Sequence, residues 1–413
     1  MKKILLISIA FPPKSDPESI QVGRYCKALL KEKWEIDVIT SALPTLYMEE
    51  DPDLSCYANG INKLYQVRLF ENRYLNFLLR KINPTCLQYP DSKYSFQFLG
   101  PGVAKPDLIY SRSYPLSSTL LALKYKIKWP DIPWVLHLSD PWVTQYEGET
   151  PATQFRNNSK RWNQKKEALC FRWADKISFT SDKTIDLYRS YYPEYAHKFI
   201  LSPNVFDEER VFKGPVDFKE KIRVIYTGGF GEKRNPDIFL EPLIQFKLNH
   251  SVIFNQFEFI FSGPMTQENK SKFEKYKQIP NLKHLGMIPY NEMLELQKTA
   301  HVLLNIDTDI KDPKQSVFFP SKLLEYFAAN RRVLTISNEH ALTWDVVQEN
   351  GGDCISFSET EKLSTFLELY YNEFLNQNHN FFQPLAAQTK YSAGRNAASL
   401  SSIFLSLISP NKD

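Results

Sequence analysis

Short apolar runs alternate with longer amphipathic segments along almost the whole chain, and this alternation constrains the fold more than any other feature. Runs such as Ile4–Ile9, Trp134–Leu138 and Val302–Ile306 consist mostly of large apolar residues. Apolar strands that are separated by helices are typical of parallel sheets buried on both faces. The alternation occurs in two series, which predicts an α/β protein with two doubly wound domains.

The predicted elements follow the same rhythm in both halves of the chain. The strands are expected at Ile4–Ile9, Glu35–Thr40, Leu64–Phe70, Asp107–Tyr110, Trp134–Leu138, Lys176–Thr180, Arg223–Thr227, Glu258–Phe261, Leu282–Leu285, Val302–Ile306, Val333–Ile336 and Cys354–Phe357. The helices are expected near Ser19–Lys33, Arg73–Ile82, Ser117–Lys128, Arg156–Trp173, Lys183–Tyr192, Pro236–Leu248, Glu268–Lys277, Asn291–Lys298, Ser321–Ala329, Ala341–Glu349, Leu363–Phe374 and Ser392–Ile408.

The 413 residues are too many for one ordinary domain. The stretch Ser202–Asp217 is polar, carries prolines and has little periodicity, which is typical of a domain boundary. We therefore predict one domain in residues 1–203 and a second in residues 204–390. The remaining residues, 391–413, are expected to form a C-terminal helix.

Composition excludes several functional classes. The hydrophobic content of 43% and the charged content of 24% are those of a globular protein that is not embedded in a membrane. The net charge of +4 suits an anionic ligand, and no block of like charge suggests an arm that binds nucleic acid. The five cysteines are far apart and form no C-x-x-C pair, so neither a zinc site nor a disulfide framework is expected. A reducing cytoplasm is the simplest compartment.

The N-terminal segment Met1–Ala10 has the apolar run of a signal peptide, but the run is short and Phe11–Asp16 offers no small-residue cleavage site. We expect a buried first strand instead. No apolar run reaches the roughly 18–20 residues of a membrane span. The aromatic and basic stretch Glu71–Ile82 is either a helix lying on an anionic membrane or a core-facing helix with a solvated basic face. Peripheral contact with the inner membrane surface therefore stays open.

Ligands of doubly wound sheets bind beyond the carboxyl ends of the strands, which directs attention to two loops in the first half. The loop after the first strand contains Pro13, Lys14 and Ser15. It either closes over an acceptor or is a turn stiffened by its prolines. His137 and Asp140 leave another strand, and both are placed for polar work on a substrate. The alternatives are a core histidine with satisfied hydrogen bonds and a turn-forming aspartate.

Two loops in the second half suggest a phosphate site. After the strand that ends at Thr227, glycines allow close backbone approach to a phosphate and two cations supply charge. These residues are Gly228, Gly229, Gly231, Lys233 and Arg234. Their spacing matches neither the G-x-G-x-x-G fingerprint nor a Walker loop. The turns at Gly263 and at Met287 and Ile288 end two neighbouring strands, where they are either backbone walls around a nucleotide base or plain turns.

The segment from Pro320 to Leu334 is the fourth and most informative loop. Pro320 starts a helix, and Ser321 and Lys322 follow in its first turn. A lysine opposes the helix dipole there unless an anion binds at that end. Glu325 lies one turn on, so a cation for phosphate and a carboxylate for sugar hydroxyls share one face. A surface Lys–Glu pair is the alternative.

Asp307 and Asp309 form an Asp-x-Asp sequence of the kind that holds a divalent metal on sugar diphosphates in another transferase architecture. They stand beside a phosphate site built from lysine, and cationic side chains can do the work of the metal. We therefore expect no metal and no cofactor, and we interpret these aspartates as solvated loop residues.

These motifs resemble the two-domain GT-B glycosyltransferases, specifically the retaining enzymes of glycosyltransferase family 4. The similarity covers nearly the whole chain. The matching segments are Tyr226–Gly231, Phe261–Pro264, His284–Tyr290, Ser202–Asp207 and, most specifically, Pro320–Leu334. Trp134–Trp142 resembles the acceptor-domain strand of a bacterial subgroup that builds surface polysaccharides. The resemblance implies two Rossmann-like domains that face each other across a cleft. The N-terminal domain would bind the acceptor, the C-terminal domain the donor, and the final helix would return to the N-terminal domain.

The chain departs from the family pattern at two points. Family members often carry two glutamates with seven residues between them; Glu325 fits the second, but the first position is Val317. Ser321 and Lys322 would take over part of that contact. The glycine pair common in the first loop is also absent, because Pro12–Ser15 stands there.

The resemblance implies a retaining transferase that needs no metal and moves a sugar from a nucleotide diphosphate sugar, UDP rather than GDP, to a hydroxyl of a glycan or lipid-linked glycan. Closure of the domains would complete the site. On the donor side, Lys233, Arg234 and Lys322 would stabilise the leaving diphosphate and Glu325 would hold the ribose. On the other side, His137 would bind the donor sugar and Asp140 would orient the acceptor, with Trp142 nearby.

Two other functions stay open at this stage. A nucleotide-sugar 2-epimerase shares the same architecture and would act on the donor without an acceptor. A nucleotide-sugar-binding subunit of a polysaccharide complex would bind the donor without turnover, an alternative that Val317 keeps open.

Overall fold

The structure is a computed structural model, and it describes residues 1–43, 48–69, 74, 96, 100–113, 116–142, 157–218, 220–231, 234–310, 316–317, 319–378, 381 and 390–409. The chain divides into two compact units. The first unit contains Met1–Val205 and Tyr391–Asp413, and the second contains Phe206–Lys390.

Over the described residues, the first unit has a sheet of seven strands in the order β3-β2-β1-β4-β5-β6-β7. Its strands are β1 (Lys3–Ile7), β2 (Glu35–Ser41), β3 (Lys63–Val67), β4 (Leu108–Ser113), β5 (Trp134–Leu138), β6 (Lys176–Phe179) and β7 (Phe199–Leu201). The helices of this unit are α1 (Pro17–Lys31), α2 (Ser117–Lys128), α3 (Asn157–Trp173) and α4 (Asp182–Tyr191). The described strand pairs are parallel. The order reverses between β1 and β4, as in doubly wound folds.

In the described part of the second unit, six strands form a sheet in the order β10-β9-β8-β11-β12-β13, again with parallel pairs. The strands are β8 (Ile222–Thr227), β9 (Phe257–Ser262), β10 (Leu282–His284), β11 (Val302–Ile306), β12 (Arg332–Ser337) and β13 (Asp353–Ser356). The helices are α5 (Asp237–Asn249), α6 (Ser251–Phe254), α7 (Gln267–Glu274), α8 (Tyr290–Lys298), α9 (Lys322–Ala328), α10 (Leu342–Glu349) and α11 (Leu363–Leu375). The prediction of two parallel α/β domains is therefore confirmed.

Local sequence explains where the first helix begins. The side chain of Asp16 accepts a hydrogen bond from the backbone N–H of Glu18, and Pro17 occupies the first helical position. An N-cap aspartate followed by proline is a strong start signal. The loop before α1 is thereby fixed at the carboxyl edge of β1.

The last helix, α12 (Ala393–Ile408), packs on α1 in the first unit. Its Phe404 is fully buried and contacts the rings of Trp34 and Tyr110, with centroids 5.8 Å and 5.3 Å away. The indole N–H of Trp34 donates to Ser401 Oγ at 2.8 Å. The C-terminal residues therefore complete the core beneath β1 and β4.

The N-terminal apolar run is the buried strand β1, as predicted. The predicted helix at Arg73–Ile82 lies outside the described residues, apart from Tyr74. Among the helices that the structure describes, none is long and apolar enough to cross a membrane.

Candidate functional site

Three glycine-containing loops lie edge to edge at the carboxyl ends of β8, β9 and β10. The N–H of Gly228 donates to Ser262 O, and the N–H of Gly263 donates to Gly286 O, both at 2.8 Å. Gly228 and Gly263 have φ angles of 130° and 133°, a region that side chains disfavour. A Cβ on Gly263 would lie 2.2 Å from Gly228 O. Only glycine allows these backbones to approach so closely, which leaves a surface of peptide groups.

The side chain of Lys322 reaches this surface from the start of α9. Its Nζ lies 3.9 Å from the centroid of the Tyr226 ring. Its Cδ lies close to Gly228, since a Cβ added to that glycine would be 3.4 Å from it. The amine is buried and has no hydrogen-bond partner within the described residues. An ammonium group carries three donors, so the absence of an acceptor is costly. Burial, together with the charge of Arg234, holds the pKa of Lys322 well below its usual value.

Tyr326 fixes the position of α9 on the sheet. Its Oη accepts a hydrogen bond from the N–H of Thr227 at 2.9 Å and donates to Leu304 O at 3.0 Å. Because Tyr326 lies four residues after Lys322, it shares a face of the helix with that lysine. The ends of β8 and β11 thus determine where the amine is placed.

Arg234 brings a second cation to the same edge. Its Nη1 donates to Gly229 O at 3.4 Å, and its Nε has no partner among the residues that the structure describes. Asn269 holds the surrounding loop, because its Nδ2 contacts the carbonyl oxygens of Gly231 and Arg234 at 2.8 Å and 3.0 Å. Two basic side chains with unused donors, next to the glycine backbone, form a site suited to a polyanion.

The other predicted donor residues lie on the same unit with different exposures. Pro320 and Ser321 are half-buried and directly precede α9, and the side chain of Ser321 does not cap that helix. Glu325 is 6% exposed. The side chain of Met287 is 55% exposed, which leaves it available to a ligand, and Ile288 is half-buried. The predicted cation Lys233 lies outside the described residues.

The interpretation of the two aspartates as solvated loop residues is wrong for Asp307, which is buried, whereas Asp309 is exposed. Asp307 accepts hydrogen bonds from the Ser337 hydroxyl and from the N–H of Thr308, at 3.0 Å and 2.9 Å. Asp309 accepts from the amide of Asn338 at 3.1 Å. Asp307 is 7% exposed, and its charge partly offsets the effect of burial on the pKa of Lys322. No group of three or more metal-binding side chains occurs among the residues searched, which are the described ones.

In the first unit, His137 is fully buried on β5. Its Nδ1 lies 2.9 Å from Ser178 Oγ, and its Nε2 has no partner in the described part of the chain. Burial, with a contribution from the charge of Arg112, holds the pKa of His137 well below its usual value, so the imidazole is neutral. Because the ring is fully buried, its Nε2 can form a hydrogen bond with a ligand only if a neighbouring side chain moves.

Asp140 lies half-buried just beyond the end of β5. Burial and the carboxylates of Glu18 and Asp16 raise its pKa to about 7. Glu18 accepts from the Ser139 hydroxyl at 2.6 Å and from Arg112 Nε at 3.0 Å. Glu18 therefore joins the start of α1 to the ends of β4 and β5. The sequence interpretation gave Glu18 and Arg112 no role, because their burial and their contact with each other depend on the fold.

The residues predicted for the acceptor side have varied surroundings. Lys14 is buried, its Nζ donates to Thr40 Oγ1 at 2.9 Å, and burial lowers its pKa to about 7. Pro13 is half-buried and Ser15 is exposed. Trp142 corrects the interpretation, because it is fully buried and its indole N–H donates to Asn163 Oδ1 at 3.1 Å. Trp142 packs in the core and is not available to contact an acceptor in this structure.

Tyr226 is the residue of the second unit that sequence interpretation missed. Its ring lies under the Lys322 amine, stacks on Phe230 with centroids 4.4 Å apart, and its hydroxyl donates to Gly229 O at 3.2 Å. An aromatic residue just before a glycine pair was the available signal.

Neither a protein-family model nor a curated protein matches the sequence. Solved structures do match over the whole length. Sucrose-phosphate synthase from Thermosynechococcus elongatus has 14% identity and a TM-score of 0.67, with 100% of each chain covered. HepE from Anabaena, solved in complex with UDP and glucose, has 12% identity and a TM-score of 0.62, with 98% of this chain and 100% of HepE covered. A candidate UDP-N-acetylglucosamine 2-epimerase from Listeria monocytogenes has 11% identity and a TM-score of 0.59, with 100% and 98% covered. The chain therefore has the GT-B fold.

Proposed function

We propose that the protein is a glycosyltransferase that moves a sugar from a nucleotide diphosphate sugar to a hydroxyl of a glycan or lipid-linked glycan. The observation that carries this proposal is the buried amine of Lys322, which has no partner among the described residues and lies near Arg234 at the carboxyl edge of the second sheet. Burial and the charge of Arg234 both disfavour an ammonium group at Lys322, and the charge of Asp307 offsets this effect only in part. A diphosphate supplies the missing charge and the missing acceptors.

The chemistry follows from where charge develops. Breaking the bond between the anomeric carbon and the diphosphate leaves negative charge on the departing phosphate oxygens. Lys322 and Arg234 would stabilise that charge. Lys233 is proposed for the same role, and Glu325 for binding the ribose. Cationic side chains suffice here, so we propose a reaction without a metal or other cofactor.

The first unit is proposed to bind the acceptor. His137 would contact the donor sugar through Nε2, which has no partner among the described residues. Asp140 is partly protonated near pH 7. It can therefore donate a hydrogen bond to a hydroxyl of the acceptor substrate when protonated and accept one when ionised. Pro13, Lys14 and Ser15 would border the acceptor from the loop before α1.

Finer features of the proposal come from sequence resemblance. We propose retention at the anomeric carbon, membership of glycosyltransferase family 4, transfer of a hexosyl group and a role in surface polysaccharide synthesis in the cytoplasm. HepE was solved with UDP and glucose, which favours UDP over GDP as the carrier of the donor sugar. Peripheral contact with the inner membrane surface would bring a lipid-linked acceptor within reach.

The decisive measurement is thermal stabilisation by UDP and GDP, each with and without magnesium. A ligand at 100 times its Kd adds about 2.7 kcal/mol to the free energy of unfolding. We expect UDP to stabilise the protein without magnesium and Lys322→Met to lose most of that effect. Lys275→Met removes an exposed lysine from the same unit and should keep it. The proposal is excluded if neither nucleotide stabilises the folded wild-type protein.

A second candidate function is a nucleotide-sugar 2-epimerase, which the similarity to the Listeria monocytogenes protein favours. The two activities differ in their products. An epimerase would convert UDP-N-acetylglucosamine without an acceptor and would leave the sugar attached in the product, whereas a transferase would release UDP only when it meets its acceptor. NMR analysis of the sugar after incubation with the enzyme alone would separate them.

A further inference from the structure

We propose that the second unit binds a nucleotide diphosphate together with one proton, which is taken up by Nζ of Lys322. This inference rests on the proposed function, since it concerns the same site. The amine would be neutral in the free protein and would become an ammonium group when the diphosphate binds. The Tyr226 ring lies against the amine, next to Gly228.

The free site does not provide what a charged lysine needs. The Nζ of Lys322 is buried, and within the described ranges no acceptor lies within hydrogen-bond distance of it. The amine instead lies over the ring of Tyr226, 3.9 Å from its centroid. A cation over an aromatic ring gains about 1–2 kcal/mol, which is less than the cost of burying an isolated charge. A neutral amine avoids that cost.

Among the described residues, the charged and titratable groups near the amine lie in the loop after β8, just after β11 and on α9. Arg234, in the loop after β8, repels a second cation. Asp307, after β11, attracts one, but its carboxylate already accepts from Ser337 and Thr308. Glu325 lies one turn away on α9, and Tyr326 is a phenol whose pKa burial raises far above neutrality. The balance leaves the pKa of Lys322 well below its usual value, with burial as the main cause.

A diphosphate reverses this balance. It brings at least two negative charges and several acceptor oxygens close to the amine, and both favour the ammonium form. The lone pair on Nζ forms a new N–H bond with a proton from the buffer, and the N–H bond of the protonated buffer molecule breaks. Binding and proton uptake are then thermodynamically linked.

Calorimetric titration with UDP at pH 8 tests the inference. At this pH the terminal phosphate of UDP is already ionised, since its second pKa is about 6, so the nucleotide itself exchanges no proton. The titration is run in two buffers with different enthalpies of ionisation, Tris and HEPES, and the difference gives the number of protons taken up. We expect about one proton per UDP. We also expect Kd to rise about tenfold per pH unit wherever the amine is neutral in the free protein and charged in the complex.

Lys322→Arg is the informative variant, because an arginine stays charged in the free protein. It should bind UDP without proton uptake, with a Kd that does not depend on pH. Lys275→Arg, an exposed site in the same unit, should behave like the wild type. If Lys322→Arg fails to fold or to bind UDP, the wild type alone still tests the inference, through the number of protons taken up per UDP and the change of Kd with pH.

The possible results separate the two proposals. UDP binding by the wild type with no proton uptake and a flat pH profile overturns this inference and leaves the proposed function intact. Uptake that persists in Lys322→Arg overturns the assignment to Lys322. Failure of both UDP and GDP to bind overturns the proposed function and, with it, this inference.

Discussion

At the scale of single residues, the informative side chains are those whose charge is buried. Sequence interpretation proposed Lys322 and Asp140 because each follows a strand or begins a helix at the expected edge of a sheet. It could not find Tyr226 or Glu18, because their importance arises from contacts between distant segments. It placed Trp142 on the acceptor side of the site, although the indole is buried in the core of the first unit. Burial depends on the whole fold, and a motif does not report it.

Asp140 gives a prediction at this scale. Its folded-state pKa of about 7 lies above the unfolded value near 3.9, so the folded protein binds a proton more tightly than the unfolded chain. Its contribution to stability is therefore full below pH 4 and is lost as pH rises toward 7. In Asp140→Asn the side chain no longer titrates, so this pH-dependent loss of stability is absent. Relative to the variant, the wild type should lose about 2 kcal/mol between pH 4 and pH 8, allowing for the partial exposure of Asp140.

Urea unfolding at pH 4 and pH 8 measures this difference. Asp186→Asn is a suitable control, because the Asp186 side chain is 69% exposed and pairs with Arg189 on the surface. The control should change the pH dependence very little. An Asp140→Asn variant that follows the wild-type profile would show that this carboxyl titrates normally.

At the scale of elements, continuous apolar runs predicted the strands well, because parallel strands are buried on both faces. The exception is β7, Phe199–Leu201, which has only three residues and follows a 3-10 turn at Pro193–Lys198. The sequence also could not predict how α9 packs, because Tyr326 contacts residues of β8 and β11 that are far away in the chain.

Tyr326→Phe tests the role of this packing. The change removes the hydroxyl that accepts from Thr227 N and donates to Leu304 O, at a cost of about 1–3 kcal/mol in stability. Because α9 carries Lys322, we expect UDP binding to weaken by about tenfold, or roughly 1.4 kcal/mol. Calorimetric titration measures the affinity, and chemical denaturation measures the stability.

The matched control for this element is Tyr125→Phe in the first unit. It removes a hydroxyl that donates to Pro101 O at 2.6 Å, far along the chain from α9. We expect a comparable loss of stability with unchanged UDP affinity. Unchanged affinity in Tyr326→Phe would show that α9 holds Lys322 without this anchor.

At the scale of the whole molecule, the two units can be perturbed separately. Phe404→Ala leaves a cavity between α12, Trp34 and Tyr110, and such truncations cost about 3–5 kcal/mol. Scanning calorimetry should show the first unit unfolding at a lower temperature, while stabilisation by UDP persists in the second unit. Leu405→Ala, whose side chain is 44% exposed, should have little effect. Loss of UDP binding in Phe404→Ala would contradict this separation.

The return of α12 to the first unit has a consequence for the order in which the protein is made. A ribosome finishes the second unit, Phe206–Lys390, before it reaches the helix that covers β1 and β4. The second unit can therefore fold while the apolar face around Trp34 is still uncovered. The first unit therefore begins to form before the second but is completed after it, and we expect the face around Trp34 to stay exposed until α12 has been made.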